Sequence, residues 1–304
     1  MSASRVAGTC SLQADSKTPS GRPEWTSPCD RDVFVSQLRE GTVPNGGSDN
    51  CGTCVFNEAN EGKTGAELPE ARQNPRETAR CVVRGEDIAR PWWAYCANHN
   101  YHNPNRVRVP VGPVYTCFSH YSPRVIQAPC PDTPDIRAGL LALLNEMPEK
   151  PVGEQSTATR LDDEVIKQIM KFGETRAVEG LKRVARFDPL VSGDGDPGRA
   201  LNRVSTVAWA VEALGVLAGD DALPELKAAL AAGLEKGLLK LSERTKERAV
   251  IRRRAVRGLA RCSSPEAAKL LRRGSLDPVA DVAELAVESW FSFHPEGEEP
   301  SCGS

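Results

Sequence analysis

The chain has 304 residues, 39 Lys and Arg against 41 Asp and Glu, a formal net charge of −2, and 39% hydrophobic beside 26% charged residues. That is enough chain to bury two cores, while 23 prolines and 25 glycines imply long irregular stretches. No run approaches the roughly 18 apolar residues a membrane span needs, and Met1 to Cys10 carry neither a cationic leader nor an apolar core, so the expectation is a cytoplasmic protein without membrane contact.

Residues 1–48 are rich in Ser, Thr, Pro, Gly and Asp, with only Val33-Phe34-Val35 and Leu38 as an apolar patch. They read as a flexible leader with one docking element, in which Cys10 and Cys29 are solvated thiols. Pro44-Asn45-Gly46-Gly47 is turn chemistry that closes the leader.

Residues 49–131 form a cysteine-rich module. Cys51-Gly52-Thr53-Cys54 is a C-x2-C pair whose glycine lets backbone N–H groups turn toward two thiolates on one ion, a common zinc half-site. Cys81 and Cys96 supply the other half, flanked by the strand-like pieces Val82-Val83 and Trp92-Trp93-Ala94-Tyr95. Four thiolates around one point close a tetrahedral shell and leave no position for water, so the expected ion is structural. Zinc is favoured. An iron–sulfur cluster is the second candidate, although the usual ferredoxin spacings are missing. A redox dithiol would sit at a helix start in a βαβ pattern, and disulfides would need an oxidising compartment. His99 and His102 follow Cys96 closely enough to replace one ligand, but read as surface residues. Val107, Val109 and Val111 alternate with Arg106, Arg108 and Pro110 as in an edge strand. Cys117 and Cys130 read as a pair of free or buried thiols. On Cys51 to Asn57, Cys81 to Arg84, Tyr95 to His99 and Gly112 to Tyr115, residues 50–147 resemble a small bacterial cysteine-rich family without an assigned activity, which implies the grouping of the cysteines and no mechanism.

Residues 132–160 are expected to hold a bridging helix and a linker. Asp135 can cap a helix with Ile136, Leu140, Leu143, Leu144 and Met147 at helical spacing, and Pro148 stops it. From 161 to 294 amphipathic helix dominates, with a period. Ala177, Ala222 and Ala267 lie 45 apart, Leu181 falls on Leu226 and Leu271, and Ile169 on Leu214 and Leu259. The period predicts helix pairs with first helices over about 162–172, 199–218 and 246–262 and turns at Gly219-Asp220-Asp221 and Ser263-Ser264-Pro265. A last helix over about 279–293 matches Ala286, Val287 and Trp290 to Ala255, Val256 and Leu259, and residues 295–304 form a disordered tail. These units, on Ala255 to Ala260 and Pro265 to Leu271, resemble HEAT-like repeats of the short bacterial, bilin-lyase type. The resemblance implies a curved stack whose concave face holds a partner. Some members of that class are enzymes, bilin lyases and an alkylated-base DNA glycosylase among them.

Enzymatic chemistry finds little support in the residues. The four histidines, His99, His102, His120 and His294, stand beside no Ser or Cys nucleophile motif, and no phosphate-binding glycine loop occurs. Asp194-Gly195-Asp196 lacks the full calcium-loop ladder and reads as a turn. Charge is uneven: residues 236–273 hold thirteen Lys and Arg against three acids. A 100° step puts Ile251, Ala255, Leu259 and Cys262 on one helix face and Arg253, Arg254, Arg257 and Arg261 on the opposite one, either a solvated surface or a docking face for phosphate or carboxylate groups. The sequence thus predicts a mainly α protein, a helical-repeat domain behind a small irregular or β metal-binding module, that acts without catalysis as a binding or scaffold protein for another protein. The alternative is a nucleic-acid-binding protein or HEAT-like enzyme using the basic face of residues 246–273.

Overall fold

The structure is a computed structural model that describes residues 50–63, 67, 77–99, 108–116, 125–147, 155–187, 197–234 and 243–293, all within one compact unit, Val43–Ser304. The expected leader 1–48 and tail 295–304, together with Cys10, Cys29, His102, Cys117, His120, the Asp194 to Asp196 loop and His294, lie outside the described residues.

Two small antiparallel sheets come first. Strands β1 (Thr78–Cys81) and β2 (Glu86–Ala89) pair Thr78 with Ala89 and Cys81 with Glu86. The turn between them contains Val82 and Val83, so this expected strand piece is a reversal instead, and Gly85 closes it with φ +65, a left-handed conformation that glycine adopts at little cost. Strands β3 (Ala94–Tyr95), β4 (Val114–Thr116) and β5 (Val125–Ala128) make the second sheet in that order, with a register shift at Val114/Tyr115. Trp92 and Trp93 lie in the turn before β3 rather than in a strand.

The expected edge strand around Val109 and Val111 is absent among the described residues: 108–113 carry no strand pairing. That stretch is a strap over the helices. Val111 is fully buried in the main apolar cluster, Val109 packs against it, and a Cβ on Gly139 would stand 2.7 Å from a Val109 methyl. Pro110 and Gly112 are buried beside Val111, so burial does not alternate along the strap as it would along an edge strand.

Nine helices follow among the described residues: α1 (Pro134–Glu146), α2 (Gln155–Lys171), α3 (Val178–Arg186), α4 (Pro197–Ala218), α5 (Leu223–Leu230), α6 (Glu243–Glu247), α7 (Ala249–Leu259), α8 (Pro265–Gly274) and α9 (Ala280–Phe293). The chain is mainly α. Thr133, not Asp135, caps α1, because Pro134 occupies the first turn and the Thr133 hydroxyl accepts from the Ile136 amide. Ser264 and Pro265 start α8 in the same way. Helix α1 buries Leu140 and Leu144 against α2 and α3 and meets Val109 of the strap at Gly139. Helix α2 begins at Gln155, inside the expected linker.

The helices pack in two rows. One runs α2, α4, α7, α9, the other α1, α3, α5, α8, and short connections after α2, α4, α7 and α8 return the chain to the opposite row. Ile169, Leu214 and Leu259 are fully buried in the first row, and Ala177, Leu181, Ala222, Leu226, Ala267 and Leu271 in or just before helices of the second. Polar contacts between neighbours recur at similar chain separations. Asp163 accepts from Ser205 and Thr206, Glu212 pairs with Arg254, Arg186 with Glu225, and Asp220 accepts from the Ser263 and Ser264 amides. Gly215 and Gly258 set the closest approach, since a Cβ on Gly215 would lie 2.3 Å from the Gly258 Cα. No described helix is long and apolar enough to cross a membrane.

Candidate metal centre and basic face

Cys51, Cys54, Cys81 and Cys96 line one small cavity of about 20 Å³ together with Phe56, Ile88, Arg84, Asn98 and Val114. Three separate segments deliver them, the Cys51 to Cys54 knuckle, the end of β1 and the residue after β3. The Cys51 amide donates to Ala94 O at 2.7 Å and the Gly52 amide to Pro91 O at 3.0 Å, so the first knuckle is stitched to the turn that leads into β3 and Cys96. Inside the knuckle, Thr53 N and Oγ1 donate to Asn50 Oδ1 and O, and Asn60 Nδ2 reaches the carbonyls of Gly52 and Cys54 at 2.8 and 3.0 Å. Cys81 ends β1, and the Val83 and Arg84 amides of the following turn donate toward its sulfur. Gly52 is required for a reason other than the expected one. Trp92 lies flat on it, and a Cβ there would fall 2.4 Å from the ring, which Glu77 anchors through the indole N–H at 2.7 Å.

Burial first, then the neighbouring thiols Cys96, Cys54 and Cys81, push the Cys51 thiol well above its ordinary value, with Arg84 pulling the other way. Cys81 is raised for the same leading reason, burial, then by Cys96, and is held back by the Arg84 and Val83 amides. Thiols in this setting stay protonated unless a cation offsets both burial and mutual repulsion.

The four sulfurs share a cavity but do not close on one point. Among the described residues no group of three or more His, Cys, Asp or Glu side chains is set to hold a metal ion as it stands. The expected tight cluster is therefore met only to the extent of a common cavity. The donor chemistry still fits a soft-ligand dication, because four cysteines outside any disulfide line the space and no carboxylate does. His99 is buried yet does not line the cavity. Cys130 is a separate buried thiol directed at Pro110 O, 2.6 Å away.

The second candidate site is the arginine face of α7. Arg253 and Arg261 are exposed and Arg257 is half-buried, but Arg254 is drawn into the row surface, where it pairs with Glu212 and lies 3.3 Å from the Trp209 ring centroid. Lys167 approaches the same ring, 4.7 Å from its centroid, so two cations from neighbouring helices bracket one indole. The residue that helical spacing missed is Arg252. It is fully buried, with Nε and Nη2 on the Asp277 carboxylate at 2.6 and 3.1 Å and Nη1 on the carbonyls of Ala232 and Thr245. No local signal marks it, since its acid lies 25 residues away. Comparison of the chain with protein-family models, with curated proteins and with solved structures finds no match in any of the three.

Proposed function

We propose that this protein is a non-enzymatic binding or scaffold protein, built as a HEAT-like stack of helix pairs behind a module held by a structural zinc ion on Cys51, Cys54, Cys81 and Cys96. One observation carries the reading: Ala177, Ala222 and Ala267, 45 residues apart, are all fully buried, and side-chain contacts between successive units span similar separations of 39 to 44 residues. Stacked pairs leave extended outer faces, and the face that carries Arg253, Arg257 and Arg261 suits a partner rich in carboxylates. Arg254 is excluded from that set by its contacts with Glu212 and Trp209. A cytoplasmic location accords with four reduced thiols around one cavity.

The test is capture of acidic proteins from a lysate of the source cell on the immobilised full chain, followed by affinity measurement with each purified partner. Reversal of Arg253, Arg257 and Arg261 to Glu should abolish that affinity and leave the helical circular dichroism unchanged. The local excess of basic residues favours a second reading, nucleic-acid binding. It predicts affinity for single- or double-stranded nucleic acid that falls linearly on a log–log plot against salt, because each phosphate contact releases counterions. Retention of partner affinity by the triple variant would reject the assignment of this face.

A further inference from the structure

Arg84 sits where a buried cation should not be alone. It is 9% exposed and lines the cysteine cavity, where no Asp or Glu is present, and its Nε has no hydrogen-bond acceptor. Its other nitrogens are fixed: Nη2 donates to Gly112 O at 2.5 Å and Val111 O at 3.3 Å, and Nη1 reaches Ala128 O at 3.5 Å. A guanidinium taken out of water needs an opposing charge, and carbonyl dipoles alone do not supply one. Among the described residues that line this cavity, the groups able to become negative are the four thiols.

We infer that the four cysteines and Arg84 act as one unit, a tetrathiolate zinc centre whose excess negative charge is balanced by Arg84, through which metal loading fixes the Val109 to Gly112 strap against the helices. This rests on the zinc reading above. Binding of one dication displaces four thiol protons to solvent and leaves the centre with a charge of −2, of which Arg84 offsets one. A cavity of about 20 Å³ is of single-ion size, and the four sulfurs must draw together to close on that ion, whereas an iron–sulfur cluster would have to force the walls apart. The strap is the output. Arg84 holds its carbonyls at Val111 and Gly112. Asn98, two residues after Cys96, takes the Val111 amide on its Oδ1 and donates to Val109 O, both at 2.7 Å. Both clamping residues thus lie within three positions of a metal-facing cysteine, and the strap they grip buries Val111 in the helical core.

The experiment uses the full chain stripped of metal by a chelator and titrated with Zn2+, or with Co2+ as the spectroscopic probe. Wild type should take up one ion per chain with the charge-transfer absorption of a tetrathiolate. Amide exchange at Val111 should slow on loading. Arg84→Met should weaken metal affinity by about 10–100-fold, the usual effect of losing a residue that supports the ligands. At saturating metal it should still leave Val111 exchanging fast, and Arg84→Lys should recover part of the affinity. If wild type binds one ion while Arg84→Met matches its affinity and its Val111 protection, the coupling is overturned and the zinc reading stands. If wild type takes up no metal, the zinc reading falls and the inference with it. Should Arg84→Met fail to fold, wild type decides alone: Val111 exchange unchanged by chelation overturns the coupling.

Discussion

The cysteine-rich region and the helical rows are held together by different forces. In the rows the stabilising residues are apolar and regularly spaced, and nearly every first-row and second-row helix adds fully buried Ala, Leu, Ile or Val to a single cluster. In the cysteine-rich region the two apolar clusters are small, Ile88, Ala94, Val114 and Ala128 in one and Cys54, Val55 and Phe56 in the other. Side chains there work mostly on backbone: Asn60 on two knuckle carbonyls, Asn98 on the strap, Arg84 on three carbonyls. The rows gain their stability from the burial of each helix face, whereas among the described residues of the cysteine-rich region apolar burial is divided between these small clusters and the indoles of Trp92 and Trp93, and the proposed zinc ion would add to its folding directly.

The strongest challenge to that contrast lies inside the rows, where Arg252 and Asp277 form a charged pair with side-chain exposures of 0% and 2%. Arg252 also holds the carbonyls of Ala232 and Thr245, so it ties the end of α5, α6, α7 and the turn before α9 together. Arg252→Ala is expected to destabilise the rows by about 3–5 kcal/mol, the cost of leaving a buried acid unpaired. Urea unfolding followed by helical circular dichroism measures it. A double variant, Arg252→Met with Asp277→Leu, should lie closer to wild type than either single change, since it removes the unpaired charge. An unaltered urea midpoint for Arg252→Ala would show that apolar packing alone fixes the rows.

How much of this was legible in the sequence follows the same division. The burial of Ala177, Leu181 and Ile169 and of the residues 45 and 90 positions on could be read directly, because they are small or aliphatic residues at helical spacing, and burial of one face is what that spacing encodes. Of ten cysteines these four could be grouped because Cys51 and Cys54 form a C-x2-C pair and Cys81 and Cys96 follow it, and the four line one cavity. Arg252 and Arg84 could not be found, since their roles depend on partners 25 and 27 to 44 residues away that local pattern does not reveal. Val82-Val83 misled because β-branched residues usually mark strands, whereas here Gly85 and the Cys81 sulfur impose a turn.

A matched pair of glycine substitutions sharpens the contrast. At Gly215 an added methyl would meet the Gly258 backbone at 2.3 Å, so α4 and α7 must separate; Gly215→Ala should cost about 1–3 kcal/mol in urea unfolding. At Gly52 the obstacle is a side chain, the Trp92 ring at 2.4 Å, and Gly52→Ala should leave the urea midpoint of the helices close to wild type. Its effect should appear as a shift in tryptophan emission and a loss of metal affinity. Equal loss of helical stability from both would mean that the two regions unfold as one.

The smallest expected effect is electrostatic and lies at the start of the rows. Glu174 caps the turn before α3 by accepting the Arg176 amide, and its carboxylate takes Arg176 Nε and Nη2 at 2.7 and 2.8 Å and Arg137 Nη1 at 3.4 Å. The Arg176 side-chain bond, opposed by desolvation and aided by the Arg176 amide, lowers its pKa from 4.5 to about 2. A depressed carboxylate favours the folded state above its unfolded value, and that stabilisation disappears as pH falls from about 4.5 toward 2. Arg176 is 64% exposed, so solvent screens the pair and the contribution should stay below about 1 kcal/mol. Asp132, lowered by its bond to Arg137, titrates at low pH too, so the informative quantity is the difference between wild type and Glu174→Gln. The gap in urea midpoint between the two should be widest near neutral pH and shrink steadily below about pH 4.5. A gap that is constant across this range would assign the effect of Glu174 to its cap hydrogen bond, which Gln alters at every pH, and not to its charge.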